Sequence, residues 1–301
     1  MSPVDCAVEF DATKLAGKTA VVTGGAAGLG KAYVEALVSA NAIVCFGDKN
    51  VQAGEQLAAT LPNVKFVPCD VTQWKDQIRL FQEAAAFSPS GHVHFVVANA
   101  GIAVQDDIFA YDEGAESAEP SLAMIDVNLK GVLYTVKLSL QYFVRLNGKE
   151  PSENQEDTCL VLASSGAGYL DCPRGPQYSC TKWAIRGIMH SLRRTTFFYG
   201  SRVNIIAPWY VRTEILSKED FDHVESRGVQ FATTEDAGQC LLHLLSDVTI
   251  NGRAFFVSAR KWAPKGYMDL DLDDYYHNDI ISEIQEDQIK PSPISLGLFA
   301  S

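Results

Sequence analysis

Seven short apolar runs rich in β-branched residues punctuate the chain: TAVVT (19–23), AIVCF (42–46), VKFVP (64–68), VHFVVA (93–98), TCLVLA (158–163), SRVNIIA (201–207) and AFFVS (254–258). Nearly uninterrupted hydrophobicity over so few residues is the pattern of a strand covered on both faces. Between most of these runs lie longer stretches with apolar positions at helical spacing, as in 29–40, 72–86, 121–146 and 177–199. The alternation predicts an α/β fold, a doubly wound parallel sheet of about seven strands with helices on both faces. No internal repeat and no long Pro/Gly/Ser linker interrupts it, and NGKEPSENQED (147–157) reads as an exposed helix-to-strand loop. A single domain is therefore expected over 1–260. Beyond it the pattern changes: residues 261–301 hold three lysines and eight acids with aromatic residues among them, as in YMDLDLDDYY. This acidic C-terminal extension is expected to wrap the body or fray.

Composition narrows the choice of partner. The 301 residues are 47% hydrophobic and 21% charged, enough for a sizeable core, and the formal net charge is −12. Nucleic acids and anionic membranes call for clustered Lys and Arg, so neither is expected as a partner, and a small molecule is. No basic segment ahead of an apolar run opens the sequence, and no uninterrupted apolar stretch is long enough to span a bilayer. The seven cysteines, Cys6, Cys45, Cys69, Cys159, Cys172, Cys180 and Cys240, are odd in number and form no C-x-x-C pair. Reduced thiols and a cytoplasmic location are the expectation, with neither a disulfide framework nor a zinc site.

The first strand runs into TGGAAGLG, Thr23 to Gly30, directly before a helical pattern. Glycines there permit a tight turn and let a pyrophosphate approach the backbone, while the helix N-terminus offers unpaired N–H groups. A Rossmann-like dinucleotide site is expected. The second strand ends in Asp48, 18 residues past Gly30, where a carboxylate accepts hydrogen bonds from ribose hydroxyls and repels a 2′-phosphate. NAD is favoured over NADP, although Lys49 next to it offers a phosphate a partner. Asp70 lies at the end of the third strand, a position where ligands of open sheets gather, and where a helix N-cap is the competing explanation.

Further on, QYSCTKW (177–183) places Tyr178 and Lys182 four residues apart, on one face of a predicted helix. TGGAAGLG, ANAG (98–101) and YSCTK follow one another in the order T-G-x-x-x-G-x-G, N-A-G and Y-x-x-x-K. On these motifs the chain resembles the short-chain dehydrogenases/reductases over roughly residues 15–258. Within that family it looks most like fungal proteins related to 15-hydroxyprostaglandin dehydrogenase and 5′-hydroxyaverantin dehydrogenase, which points to secondary metabolism. The resemblance implies catalytic roles for Asn128, Ser165, Tyr178 and Lys182, with Ser165 preferred over Ser164 as the substrate-orienting serine. It implies cofactor contacts at Thr23, Gly24, Gly28, Leu29, Gly30, Asp48, Asp70, Val71, Asn99, Ala100, Gly101, Tyr178, Lys182, Val211 and Thr213, Asn99 being largely structural. It also implies a homodimer or homotetramer through the helices 121–146 and 177–199, and a substrate lid over about 209–231. One position departs: in APWYVRT (207–213), Trp209 stands where the family usually has glycine.

A phenol is a poor base at neutral pH, but a neighbouring ammonium and a bound nicotinamide cation both favour its anion. Tyr178 is thereby expected to remove the proton of an alcohol, or return it to a ketone, with a lowered pKa. Tyr169, Leu170, Trp209 and Tyr210 suggest an aromatic, apolar pocket for a hydrophobic secondary alcohol or its ketone. NADPH-dependent ketone reduction and a non-redox isomerase or cyclase stay open as alternatives. His92 and His94 share a face at strand spacing, but no further ligand accompanies them, and no metal is expected.

Overall fold

A computed structural model of the chain describes residues 3–111, 113, 114, 116–270 and 279–291. Eight strands form one sheet in the order β3-β2-β1-β4-β5-β6-β7-β8. They are β1 (Thr19–Thr23), β2 (Ile43–Asp48), β3 (Val64–Pro68), β4 (Phe95–Ala98), β5 (Thr158–Ala163), β6 (Ser201–Pro208), β7 (Ala254–Val257) and β8 (Tyr267–Asp269). The first seven run parallel and β8 is antiparallel to β7. Every residue of β1, β5 and β6 is buried, as strands covered on both sides require.

Two cores lie on opposite faces of the sheet. One gathers α1 (Gly28–Ser39), α2 (Val51–Thr60) and α8 (Thr234–Ser246) around Tyr33, Leu37, Phe46 and Phe255. The other gathers α3 (Trp74–Phe87), α5 (Val132–Asn147) and α6 (Pro176–Leu192) around Phe81, Phe143, Leu160 and Met189. Strand order turns back between β1 and β4, so the carboxyl ends of these neighbours open a crevice, the place where ligands bind in this architecture.

The structure departs from the sequence reading in three places. The sheet has eight strands, and the eighth comes from the segment read as a tail. Residues of β8 are too few for a periodic signal; Arg253 and Asp269 pair there with side chains only 4% and 2% exposed, and the Val4 N–H donates to Asp269 Oδ2 at 2.7 Å. Residues 271–278 and 292–301 of that acidic segment lie outside the described residues, while 279–289 form α9 (Asp279–Ile289). The helix expected over 121–146 is interrupted: α4 (Ala123–Ile125) gives way to a π-helical turn, Asp126–Gly131, before α5. The run VHFVVA is strand only from Phe95, because His94 turns inward, 3% exposed, and its Nδ1 accepts from the Thr19 N–H at 3.1 Å. Among the described residues, no helix is long and apolar enough to cross a membrane and no cluster of His, Cys, Asp and Glu could hold a metal ion.

Candidate active site

The crevice begins with a glycine turn that its neighbours hold open. Thr23 Oγ1 accepts from the N–H groups of Asn99 and Ala100 at 3.1 and 3.2 Å, and Asn99 Nδ2 donates to the carbonyls of Thr23 and Gly24 at 3.1 and 3.0 Å. These four bonds stitch the end of β1 to the end of β4. Gly24 has φ +66°, and a Cβ there would lie 2.8 Å from Ala100 Cα; a Cβ on Gly30 would lie 1.9 Å from the Gly24 carbonyl oxygen. Only hydrogen fits at either place. α1 starts at Gly28 with no side-chain cap hydrogen bond, which leaves its first-turn N–H groups unpaired, with Glu214 Oε2 3.4 Å from where a Gly28 Cβ would stand.

Asp48 sits at the lip of this turn. Its Oδ2 accepts from the Ala26 N–H at 3.0 Å and its Oδ1 from Asn50 N–H at 2.9 Å. A glycine-lined backbone cradle beside a fixed carboxylate fits a dinucleotide: Gly24, Gly28, Leu29 and Gly30 would hold the pyrophosphate and Asp48 a ribose. Asp70 Oδ1 accepts from Thr72 N–H and Oγ1 at 2.9 and 2.7 Å. Burial pulls its carboxyl upward most strongly, but the Thr72 bonds and the charges of Lys49 and Lys130 leave it below the usual range. The expected rival role, a helix cap, is absent, since α3 starts at Trp74 with Gln73 before it. Lys49 Nζ reaches to 3.9 Å of Asp70 Oδ2. Val71 is buried against Gly131, and Val211 forms a lone bridge with Ala232. Thr213 lies across the glycine turn, its Cβ 3.1 Å from where a Gly28 Cβ would stand, and its Oγ1 accepts from Ile215 N–H at 3.3 Å.

Farther along the crevice, Ser165, Tyr178, Lys182 and Asn128 converge from three elements. Ser165 follows β5, its Oγ accepting from the Ala167 N–H at 3.2 Å, and it lies near enough to Tyr178, in the first turn of α6, to oppose the burial that raises the phenol. One turn later Lys182 Nζ stands 5.5 Å from the centre of the Tyr178 ring and donates to the Ala163 carbonyl at 3.1 Å. Asn128, in the π-helical turn, uses Oδ1 to accept from Ile102 N–H and Nδ2 to donate to Ile102 O, both at 2.8 Å. A Cβ on Gly101 would lie 3.4 Å from Asn128 Oδ1 and 3.5 Å from Lys182 Nζ, so these three positions meet in one place. A π-turn re-aims side chains that a regular helix would leave facing elsewhere. Ser164, the neighbour of Ser165, donates instead to the Lys182 carbonyl at 3.0 Å and anchors α6.

The matching of this chain to known proteins agrees with that geometry. The profile described as short chain dehydrogenase matches residues 18–223. The chain belongs to this family. It is 34% identical over 299 residues to a 5'-hydroxyaverantin dehydrogenase of Dothistroma septosporum, covering 92% of this chain and 94% of that protein. It is 29% identical over 278 residues to an NADP-dependent dehydrogenase M3 of Phoma sp., covering 88% and 81%. Its fold is similar to that of a 3-ketoacyl-(acyl-carrier-protein) reductase from Brucella melitensis, solved with NADH, at TM-score 0.69 and 21% identity over 81% of this chain and 97% of that one. Membership makes the chain an oxidoreductase of the kind that acts on a CH–OH or carbonyl group.

Two features of the family site were not legible in the motifs. Asp106, buried in the loop after β4, accepts from the Gln177 N–H at 2.7 Å and from Gln177 Nε2 at 2.9 Å, one residue before Tyr178. It clamps the start of the helix that carries Tyr178 and Lys182, and only the 71-residue separation hid it. The second feature is the phenol. Burial holds Tyr178 above its ordinary pKa against the opposing effect of Ser165, and burial pushes Lys182 down to about 8. In the cofactor-free protein the phenol is thus held up by its burial, and the lowering expected of it belongs to the state in which the nicotinamide cation is bound.

Proposed function

We propose that the protein oxidises a hydrophobic secondary alcohol with NAD, or reduces the matching ketone. The observation that carries this reading is the convergence of Ser165, Tyr178, Lys182 and Asn128, with Lys182 Nζ 5.5 Å from the centre of the phenol ring. When bound, the nicotinamide supplies the hydride acceptor or donor. Ser165 donates to the substrate oxygen and fixes it beside Tyr178. Tyr178 takes the hydroxyl proton in oxidation and returns it in reduction. Lys182 holds a cofactor ribose and steadies the charge on Tyr178, and Asn128 keeps the proton path at Lys182 in place. In the cofactor-free protein Tyr178 stays a phenol, so proton removal waits until alcohol and cofactor are both seated.

NAD is the proposed cofactor because Asp48 stands fixed beside the turn, where a 2′-phosphate would meet its charge. A second reading, ketone reduction with NADPH, draws support from Lys49, whose side chain is 84% exposed at the same strand end, and from the NADP-dependent relative. Lipophilic secondary alcohols incubated with NAD and with NADP, followed at the reduced-nicotinamide absorbance, decide between them. Turnover with NAD supports the proposal. Turnover with NADP alone moves the assignment to the second reading, and a reaction without any nicotinamide absorbance change refutes both. We further propose that copies of the chain pair through α5 and α6, which expose Leu133 and Trp183.

A further inference from the structure

The residue that departs from the family pattern has an unusual setting. Trp209 follows the end of β6, its N–H donating to the Val257 carbonyl at 2.8 Å. Its indole is packed edge-on against Tyr210, Phe256 and Trp262, with ring centres 4.9, 6.0 and 5.7 Å away. A Cβ on Gly166 would lie 3.3 Å from its Cε3, so the ring is lodged against the residue next to Ser165. Trp262, from the segment between β7 and β8, is 48% exposed and extends this aromatic wall outward. The Trp209 Nε1–H is buried and has no hydrogen-bond partner among the described residues. A buried donor left unsatisfied is destabilising, and indole N–H groups usually find an acceptor when enclosed. A glycine would leave neither the wall nor the donor.

We propose that Trp209 determines substrate specificity: with Trp262 it receives an aromatic ring of the substrate, and its Nε1–H donates to an oxygen carried on that ring. This rests on the alcohol/ketone reading above. It narrows the substrate from any hydrophobic secondary alcohol to an aryl carbinol, or aryl ketone, bearing a ring oxygen. Edge-to-face contacts favour a planar π-system over a saturated ring of the same size.

The test uses the whole chain with saturating NAD and three ketones as probes: naphthyl methyl, hydroxynaphthyl methyl and decahydronaphthyl methyl. Their binding is measured by calorimetry, and turnover of the matching alcohols is measured separately. The naphthyl probe should bind about tenfold more tightly than the decahydronaphthyl one. Trp209→Gly should bring that ratio to within about twofold. Trp209→Phe should keep most of the ring preference but lose the additional gain of about fivefold expected for the hydroxynaphthyl probe. Trp262→Ala, at an exposed position that puts folding at little risk, should lower the ring preference by about threefold. Unchanged preferences in Trp209→Phe and Trp262→Ala would overturn the proposal, as would a Trp209→Phe protein that loses NAD affinity as much as ketone affinity. Ring preference that vanishes with Trp209 while no alcohol is oxidised would support the pocket and refute the dehydrogenase reading. Oxidation of all three alcohols with no dependence on Trp209 would do the reverse.

Discussion

The two sides of the crevice are held by different forces. On the glycine-turn side, Thr23 and Asn99 lock β1 to β4 through four directional bonds, and Asp48 fixes Ala26 in the turn. On the side beyond Ser165, the ring of Trp209 meets those of Tyr210 and Trp262 edge to face, Phe231 lies tilted against Tyr210, and α7 (Lys218–Ser226) packs only Phe221 inward. Directional bonds to backbone tolerate few residues at each position. Ring contacts tolerate many. The first side is suited to one invariant ligand, and the second can be re-cut for different substrates.

The sharpest way to break this contrast is to add one methyl group on each side. Gly30→Ala drives a Cβ to 1.9 Å from a backbone oxygen that is itself bonded to Asn99. It should destabilise the protein by about 3 kcal/mol or more and weaken NAD binding by at least about a hundredfold. Gly228→Ala, at φ +79° after α7 with nothing within 4 Å of the new Cβ, meets only backbone strain of about 1 kcal/mol. Urea unfolding and NAD titration of both variants check the pair. Equal effects would erase the distinction between the two sides.

A smaller effect is expected at Asp48. Replacing it with Ser removes the charge that opposes a 2′-phosphate, so the preference for NAD over NADP should narrow by about tenfold. A wild-type protein that prefers NADP would contradict the role given to this carboxylate.

Smaller still is a pH effect beneath the glycine-turn side. His94 is buried, its Nδ1 accepts from Thr19 N–H, and its Nε2 lies 3.4 Å from Glu156 Oε2. Burial first and the Lys18 charge next hold its pKa below the ordinary value, with Glu156 opposing. The unfolded chain therefore binds the proton more readily. The stability due to neutral His94 is fully present above the ordinary histidine value near 6.5 and is lost as pH falls through it toward the depressed folded value. Denaturant midpoints between about pH 7 and 5 should fall more steeply in the wild type than in His94→Gln. Parallel slopes would remove His94 from the account.

This contrast also explains what could be read from the residues alone. TAVVT and TCLVLA are the strands β1 and β5 to the residue, since buried parallel strands write their boundaries as apolar runs, and VKFVP matches the half-buried edge strand β3. The glycine turn was legible because only glycine fits it. The π-helical turn was not, because the bonds that tie its Asn128 amide to the N–H and carbonyl of Ile102 reach 26 residues along the chain, beyond any local pattern. β8 was hidden for a similar reason: three residues are held by Arg253, Asp269 and the Val4 N–H, contacts that no local pattern records. How far burial raises Tyr178 in the free protein was not legible either, because spacing shows that Lys182 is near but not how the groups are enclosed. A tyrosine titration of the free protein, taken as the difference from Tyr178→Phe, should find a phenol above the ordinary value.

The central claim is that Tyr178 moves the proton while the glycine turn and Lys182 hold the cofactor without the help of its hydroxyl. Tyr178→Phe keeps the ring against Lys182 and removes only the hydroxyl, so NAD affinity and alcohol oxidation measured on the same preparation test it directly. The account predicts an NAD dissociation constant within about twofold of wild type and a loss of about 10²–10⁴ in the oxidation rate. A Tyr178→Phe protein that oxidises the alcohol at near wild-type rate would contradict it.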